Sequence, residues 1–207
     1  MNDAAALLHL LGPAIDDARV LTAIGSVPRD RFVGGAERRR AYEDVALPIA
    51  CGQTISQPRV VARMLQVLAL APTDRVLDVG TGSGYHAALL ALLAGEVWTI
   101  ERHAELSAQA RLTILGLEAC RGCKISFIVG DGGGGLPDRA PFDAINVAAA
   151  TGERVPAALE RQLAVGGRLV APVGDREQHL TLTTRTAAGL ERAKLGAVRF
   201  VPLIRDL

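Results

Sequence analysis

The stretch VLDVGTGSGYHAALLA, Val76 to Ala91, constrains the chain more than any other. Val76, Leu77, Asp78 and Val79 have strand character, glycines stand at 80, 82 and 84, and an Ala/Leu-rich helix follows directly. Glycine at alternate positions lets the backbone turn sharply and lets a ligand lie against bare main chain. The first N–H groups of the following helix have no partner within it and point into the same space. Such a strand–turn–helix unit predicts a nucleotide-like ligand at the turn.

The kind of nucleotide follows from what the turn lacks. Its G-x-G-x-G spacing differs from the dinucleotide fingerprint G-x-G-x-x-G, because Tyr85 stands where the third glycine would be. No lysine or arginine lies in the turn, and Asp78 places a negative charge beside it. The next strand, Val97 to Ile100, ends on Glu101, about 20 residues past the first glycine, where a carboxylate can accept both ribose hydroxyls. A ribose with a positive centre fits better than a pyrophosphate, and S-adenosylmethionine is such a ligand. A nicotinamide-dependent oxidoreductase, a silent binding module and a turn used only for packing are the alternatives.

Composition narrows the class further. At 207 residues, 49% of them hydrophobic, the chain suits one core with an appended lobe. Its longest apolar run is too short to span a bilayer, so no membrane partner is expected. The first residues lack the regions of a signal peptide, and a cytoplasmic location is expected. Balanced charge, 23 basic against 22 acidic residues, gives no argument for nucleic acid. Arg38-Arg39-Arg40 reads as a solvated face. Three cysteines make a poor disulfide framework, and Cys120-x-x-Cys123 supplies only two soft ligands, so no metal is expected. His9, His86, His103 and His179 show no ligand spacing.

In chain order, residues 1–58 read as an N-terminal helical lobe with a substrate and cofactor loop, and 59–207 as a Rossmann-like core. In GQTISQP, Gly52 to Pro58, Ser56 or Gln57 before proline signals a helix start. Ser56 is therefore either a cap or, with Thr54, one of two hydroxyls placed to hold a carboxylate. Helix Ala104 to Leu115, strands Ile125 to Val129 and Phe142 to Val147, a helix near Pro156 to Leu163 and strand Arg168 to Val173 follow. This alternation predicts an α/β, doubly wound, mostly parallel sheet with ligands at the carboxyl ends of its strands. Asp131, at one such end between glycines, is either a turn residue or an acceptor for an adenine amino group. Beyond Gly174 a C-terminal β-hairpin is expected, turning at Ala187-Ala188-Gly189 and returning through Leu190 to Leu195 and Val198 to Leu203.

From VPRDRFV to VRFVPL the chain resembles the protein-L-isoaspartate O-methyltransferase family, in AYEDVALPI, GQTISQP, the glycine stretch, Gly130-Asp131-Gly132, LAVGGRLVAPVG and VRFVPL. GQTISQP is the specific piece, since the glycine motif is common to many methyltransferases. The resemblance implies a class I S-adenosylmethionine-dependent fold whose final strands depart from the usual order. It implies cofactor contacts at Thr54, Ile55 and Ser56, at Asp78, Gly80, Gly82 and Ser83, at Glu101 and Arg102, at Asp131 and Gly132, and at Gln178. It also implies that Ser56 is catalytic and that isoaspartyl proteins or peptides are the methyl acceptors; a monomer is expected. Val201, Pro202 and Leu203 are expected to form the peptide groove. A family member acting on a dedicated biosynthetic peptide or small molecule is the related alternative. Three features depart from the family pattern: Gly133-Gly134-Gly135 where an aromatic residue usually follows, Ala148 in place of threonine, and polar Asn146 in a buried strand. The glycine run, with no side chains to fix it, is expected to be a mobile loop.

Overall fold

Three strands with almost unbroken burial, Arg75–Val79, Glu96–Glu101 and Phe142–Val147, form the centre of the molecule, as strands covered on both faces do. In the computed structural model, which describes residues 4–204, β3 (Arg75–Val79), β4 (Glu96–Glu101), β5 (Ile125–Val129), β6 (Phe142–Val147) and β7 (Leu163–Val173) run parallel. The antiparallel strands β8 (Gln178–Thr186) and β9 (Gly189–Val198) complete a seven-stranded sheet of order β5-β4-β3-β6-β7-β8-β9. The short strands β1 (Leu47–Pro48) and β2 (Thr54–Ile55) pair separately. Residues 1–3 and 205–207, the outer ends of the two expected segments, lie outside the described residues.

Alternation along the strands divides the core. Val76, Val97, Ala144 and Val170 pack with α1 (Ala4–Leu11), α2 (Ala18–Ser26), α3 (Pro58–Leu68) and α4 (Tyr85–Leu93). Leu77, Trp98, Ile145 and Leu169 face the other way, towards Val155 and Leu159 at α6 (Ala157–Arg161). The N-terminal helices thus share a core with the sheet. α4 is buried nearly all round, which its Ala/Leu composition permits. Gly84, at φ +89°, lets α4 begin close to α5 (Ala104–Leu115); a Cβ there would meet Ala110 Cβ at 2.8 Å. Among the described residues no helix is long and apolar enough to cross a membrane.

Three local expectations are corrected. The helix expected near Pro156 to Leu163 is only α6, and β7 begins at Leu163, so Gly166-Gly167 lies inside a strand rather than ahead of one. Phe142 pairs with Leu163 and Ala144 with Arg168, so the extra residues of β7 are extruded as a bulge. Gly167 permits this, because a Cβ would stand 2.8 Å from the Ala164 carbonyl oxygen. The return strand β9 ends at Val198, and the segment expected to continue it crosses back over the sheet as a strap. Main-chain bonds from Ala150 N to Val201 O (2.8 Å) and from Leu203 N to Ala150 O (2.7 Å) pin it to the loop after β6.

The glycine run is the third. Gly132–Gly134 forms a 3₁₀ turn, capped by Asp131, whose carboxylate accepts from Gly133 N at 2.7 Å. Buried Gln162 accepts from Leu136 N and donates to the Gly134 carbonyl, both at 2.7 Å. The run has no side chains of its own to pack, but a side chain from the far end of α6 holds it in place of a loose loop.

Candidate active site

The sheet order reverses beside β3, which pairs with β4 on one side and β6 on the other. Crevices at the carboxyl ends of strands at such a switch point are where α/β sheets take ligands. A cavity of about 260 Å³ opens there. Gly80, Gly82 and Ser83 line it, and the three turn glycines take φ of +90°, +51° and +89°. Glu101, 6% exposed, also lines it. Its Oε2 accepts from Gly82 N at 2.9 Å and its Oε1 from His103 N at 3.0 Å. A carboxylate offers about four lone-pair positions, so each oxygen keeps capacity for a ribose hydroxyl. The carboxylate at once braces the turn and suits the sugar.

The opposite wall comes from the loop ahead of α3. Thr54, Ile55 and Ser56 line the cavity. The helix cap is Gln57, which makes no side-chain capping bond, and Pro58 occupies the first turn. Ser56 is therefore not the cap that its position permits. Its carbonyl instead accepts from Arg29 Nη2 at 2.7 Å. The third wall is the strap, with Val201, Pro202, Leu203 and Ile204. Gln178 does not line the cavity; its amide accepts from Phe200 N at 2.6 Å and donates to Phe200 O at 3.2 Å. It holds the strap whose next residues form the wall.

A buried polar network underlies the turn. Asp78 is 0% exposed and is not among the cavity's lining residues; its carboxylate is bonded within the protein. Asn146 Nδ2 donates to its Oδ1 and Thr99 Oγ1 to its Oδ2, both at 2.8 Å. With the Thr99 proton so used, Thr81 is the donor in the 2.6 Å contact between the two hydroxyls. Thr81 lines the cavity, so the network reaches its wall. Burial pushes the Asp78 carboxyl up to about 6, against the lowering effect of Asn146 and Thr99. Asn146, a polar residue in a buried strand, is thus a partner for Asp78.

The family model described as protein-L-isoaspartate (D-aspartate) O-methyltransferase matches residues 5–207. The chain belongs to that family. A protein-L-isoaspartate O-methyltransferase of Koribacter versatilis is 54% identical over 191 residues, covering 92% of this chain and 84% of the relative. One from Roseobacter denitrificans is 49% identical over 203 residues, covering 97% and 93%. Among solved structures, a Plasmodium falciparum protein assigned to these methyltransferases, in complex with S-adenosyl-L-homocysteine, superposes with a TM-score of 0.86 at 27% identity over 100% of both chains. As a protein-L-isoaspartate O-methyltransferase the chain depends on S-adenosylmethionine, and the donor set suits that cofactor: a carboxylate with spare acceptor capacity and bare main chain at the glycine turn.

For this methyltransferase the cavity gathers Thr54, Ile55, Ser56, Gly80, Gly82, Ser83, Glu101, Arg102, Gly132 and the strap residues Val201, Pro202 and Leu203. It does not gather Asp78, Asp131 or Gln178, whose side chains bond to Asn146, Gly133 and Phe200, residues that stand behind the lining. Thr81, Tyr85, His86, His103 and Ala149 line it without having been expected as site residues. For Tyr85 and His86 a signal was present, since they occupy the first turn of the helix that follows the glycines. Burial pushes Tyr85 up to about 12 and His86 down to about 4, so both are neutral near pH 7.

Proposed function

We propose that this methyltransferase acts on the α-carboxylate of L-isoaspartyl residues in proteins and peptides, with Ser56 orienting that carboxylate. The observation that carries this reading is that one cavity joins the glycine turn and Glu101 to Ser56 and the strap. S-adenosylmethionine, when bound, supplies an electrophilic methyl group on a sulfonium. Glu101 would hold the ribose, and the Gly80–Ser83 main chain would take the rest of the nucleoside. Ser56 Oγ–H and neighbouring N–H groups of the loop donate to the acceptor carboxylate, while Val201, Pro202 and Leu203 shape the peptide groove. A carboxylate is already ionised near neutral pH, so no general base is needed to make it nucleophilic. What the residues supply is alignment, which contributes about 7 to 11 kcal/mol in well-oriented reactions. The methyl ester then cyclises by attack of the following backbone nitrogen with loss of methanol, and hydrolysis of the succinimide returns some aspartyl linkage.

The site of action proposed is the cytoplasm, on a monomer; Cys51, Cys120 and Cys123 are all free thiols, in keeping with a reducing compartment. Methyl transfer from labelled S-adenosylmethionine to an isoaspartyl peptide, with its aspartyl twin as control, tests the reaction. Because Ser56 does not cap α3, Ser56→Ala should change stability by no more than about 0.5 kcal/mol. It should lower kcat about 10- to 100-fold, each 1.36 kcal/mol of lost transition-state stabilisation being about tenfold. Wild-type turnover by folded Ser56→Ala would remove the hydroxyl from the mechanism.

A further inference from the structure

Behind the Ser56 wall lies a cation that the mechanism above does not use. Arg29, in the 3₁₀ turn Arg29–Phe32, is 0% exposed. Its N–H groups go to main-chain carbonyls: Nε donates to Ala41 O at 2.8 Å and Nη2 to Ser56 O at 2.7 Å. Nη1 has no hydrogen-bond partner among the described residues. The guanidinium carbon stands 5.0 Å from the centroid of the Tyr85 ring, which Phe32 also meets edge-on at 5.3 Å. Tyr85 and Ser56 are both cavity-lining residues on different elements. One buried fork therefore ties the Ser56 loop to the start of α4, and with it to the glycine turn.

A buried guanidinium is costly unless its donors are used. Burial draws Arg29 down only to about 10, so it is charged near pH 7. Its planar fork reaches two carbonyls in fixed directions, which the compact ammonium of lysine does not reproduce. For the bulk of the fold an apolar residue would fill the same space at less desolvation cost. The fork's distinctive effect is on where Ser56 stands relative to the turn.

We propose that Arg29 is a positioning residue for methyl transfer, fixing the Ser56 loop against the glycine turn through the Ser56 carbonyl. This inference rests on the reading of Ser56 given above. Near-attack geometry tolerates little error, and a shift of about 1 Å in a positioning group can cost on the order of 100-fold. Arg29 acts on the acceptor side, since its hydrogen bonds go to the Ser56 and Ala41 carbonyls and neither goes to Glu101 or to the turn main chain.

The test compares Arg29→Lys and Arg29→Met with Ser56→Ala and with the double variant Ser56→Ala/Arg29→Lys, each normalised to folded protein. Arg29→Lys, which keeps charge and stem, should lower kcat on an isoaspartyl peptide about tenfold, the loss of one good hydrogen bond, and Arg29→Met should lower it further. Calorimetric affinity for S-adenosylhomocysteine should stay within about twofold, and the double variant should be slower than Ser56→Ala alone by clearly less than the tenfold of Arg29→Lys, as expected for coupled groups. Unchanged kcat in folded Arg29→Lys, with only its Tm lowered, would make Arg29 a structural residue and overturn the proposal. Two losses that multiply in the double variant, or a fall in cofactor affinity that matches the fall in kcat, would overturn it as well. If Ser56→Ala turns over normally while Arg29→Lys is slow, the hydroxyl role falls and positioning through the loop main chain stands.

Discussion

Glu101 shows how one side chain can serve the fold and the ligand together. Each of its oxygens accepts one main-chain N–H, from Gly82 and from His103, and neither is thereby exhausted. Glu101→Ala should weaken S-adenosylhomocysteine binding by about 1.5 to 3 kcal/mol, the range for hydrogen bonds to a charged group. Because Gly82 N loses its acceptor as well, its amide should exchange faster in the variant even without ligand. Isothermal calorimetry that finds wild-type affinity in a folded Glu101→Ala protein would strike out the ribose assignment. The carboxylate's place was legible from its distance past the first glycine. Its bond to Gly82 was not, because the turn's φ angles decide which N–H reaches it.

At the scale of elements, the turn after β5 depends on a residue that no local pattern connects to it. Gly135, at φ +65°, lies so close to Gln162 that a Cβ would stand 2.5 Å from Oε1. Gln162 in turn makes two hydrogen bonds to the main chain of the run. Gln162→Ala should destabilise the protein by about 1 to 3 kcal/mol, two hydrogen bonds of about 0.5 to 1.5 kcal/mol each. It should also accelerate amide exchange from Gly133 to Leu136, and hydrogen-exchange mass spectrometry would show either change. Equal protection of that segment in variant and wild type would mean that Asp131 and local packing hold it unaided. Read from sequence, three glycines in a row have the highest backbone entropy available. The tertiary partner supplies the restraint that their own side chains lack.

Over the whole molecule, two buried groups pull the acid stability in opposite directions. Asp78 moves up from 3.8 to about 6 through burial, so it contributes stability at low pH that is lost as pH rises through about 6. His86 moves down from 6.5 to about 4 through burial, so it contributes stability above 6.5 that is lost as pH falls through about 4. On acidification from pH 6.5 to 4, Asp78 adds and His86 removes stability, each on the order of 3 kcal/mol, and the two largely offset. Asp78→Asn is close to isosteric and leaves only the histidine slope. Relative to wild type, the variant should lose stability between pH 7 and pH 4.5 by on the order of 2 kcal/mol. Urea midpoints at the two pH values measure this, with the other titrating groups common to both proteins. A constant difference between them would show that Asp78 does not take up a proton in that range.

The sequence by itself determined the nucleotide turn, the carboxylate after the next strand, the parallel strands of the central sheet and the loop that carries Ser56. Those features are written in neighbouring residues, through glycine conformations, strand burial and the proline that opens α3. Tertiary structure decided which side chains support them. Arg29 meets Ser56 across 27 residues of sequence, Gln162 meets Gly134 across 28, and Asn146 meets Asp78 across 68. It also set the bulge in β7 and turned the expected last strand into a strap over the cavity. Such partners are chosen by strand register and by the need of each buried polar group to find a hydrogen bond, and neither is visible until the sheet has assembled.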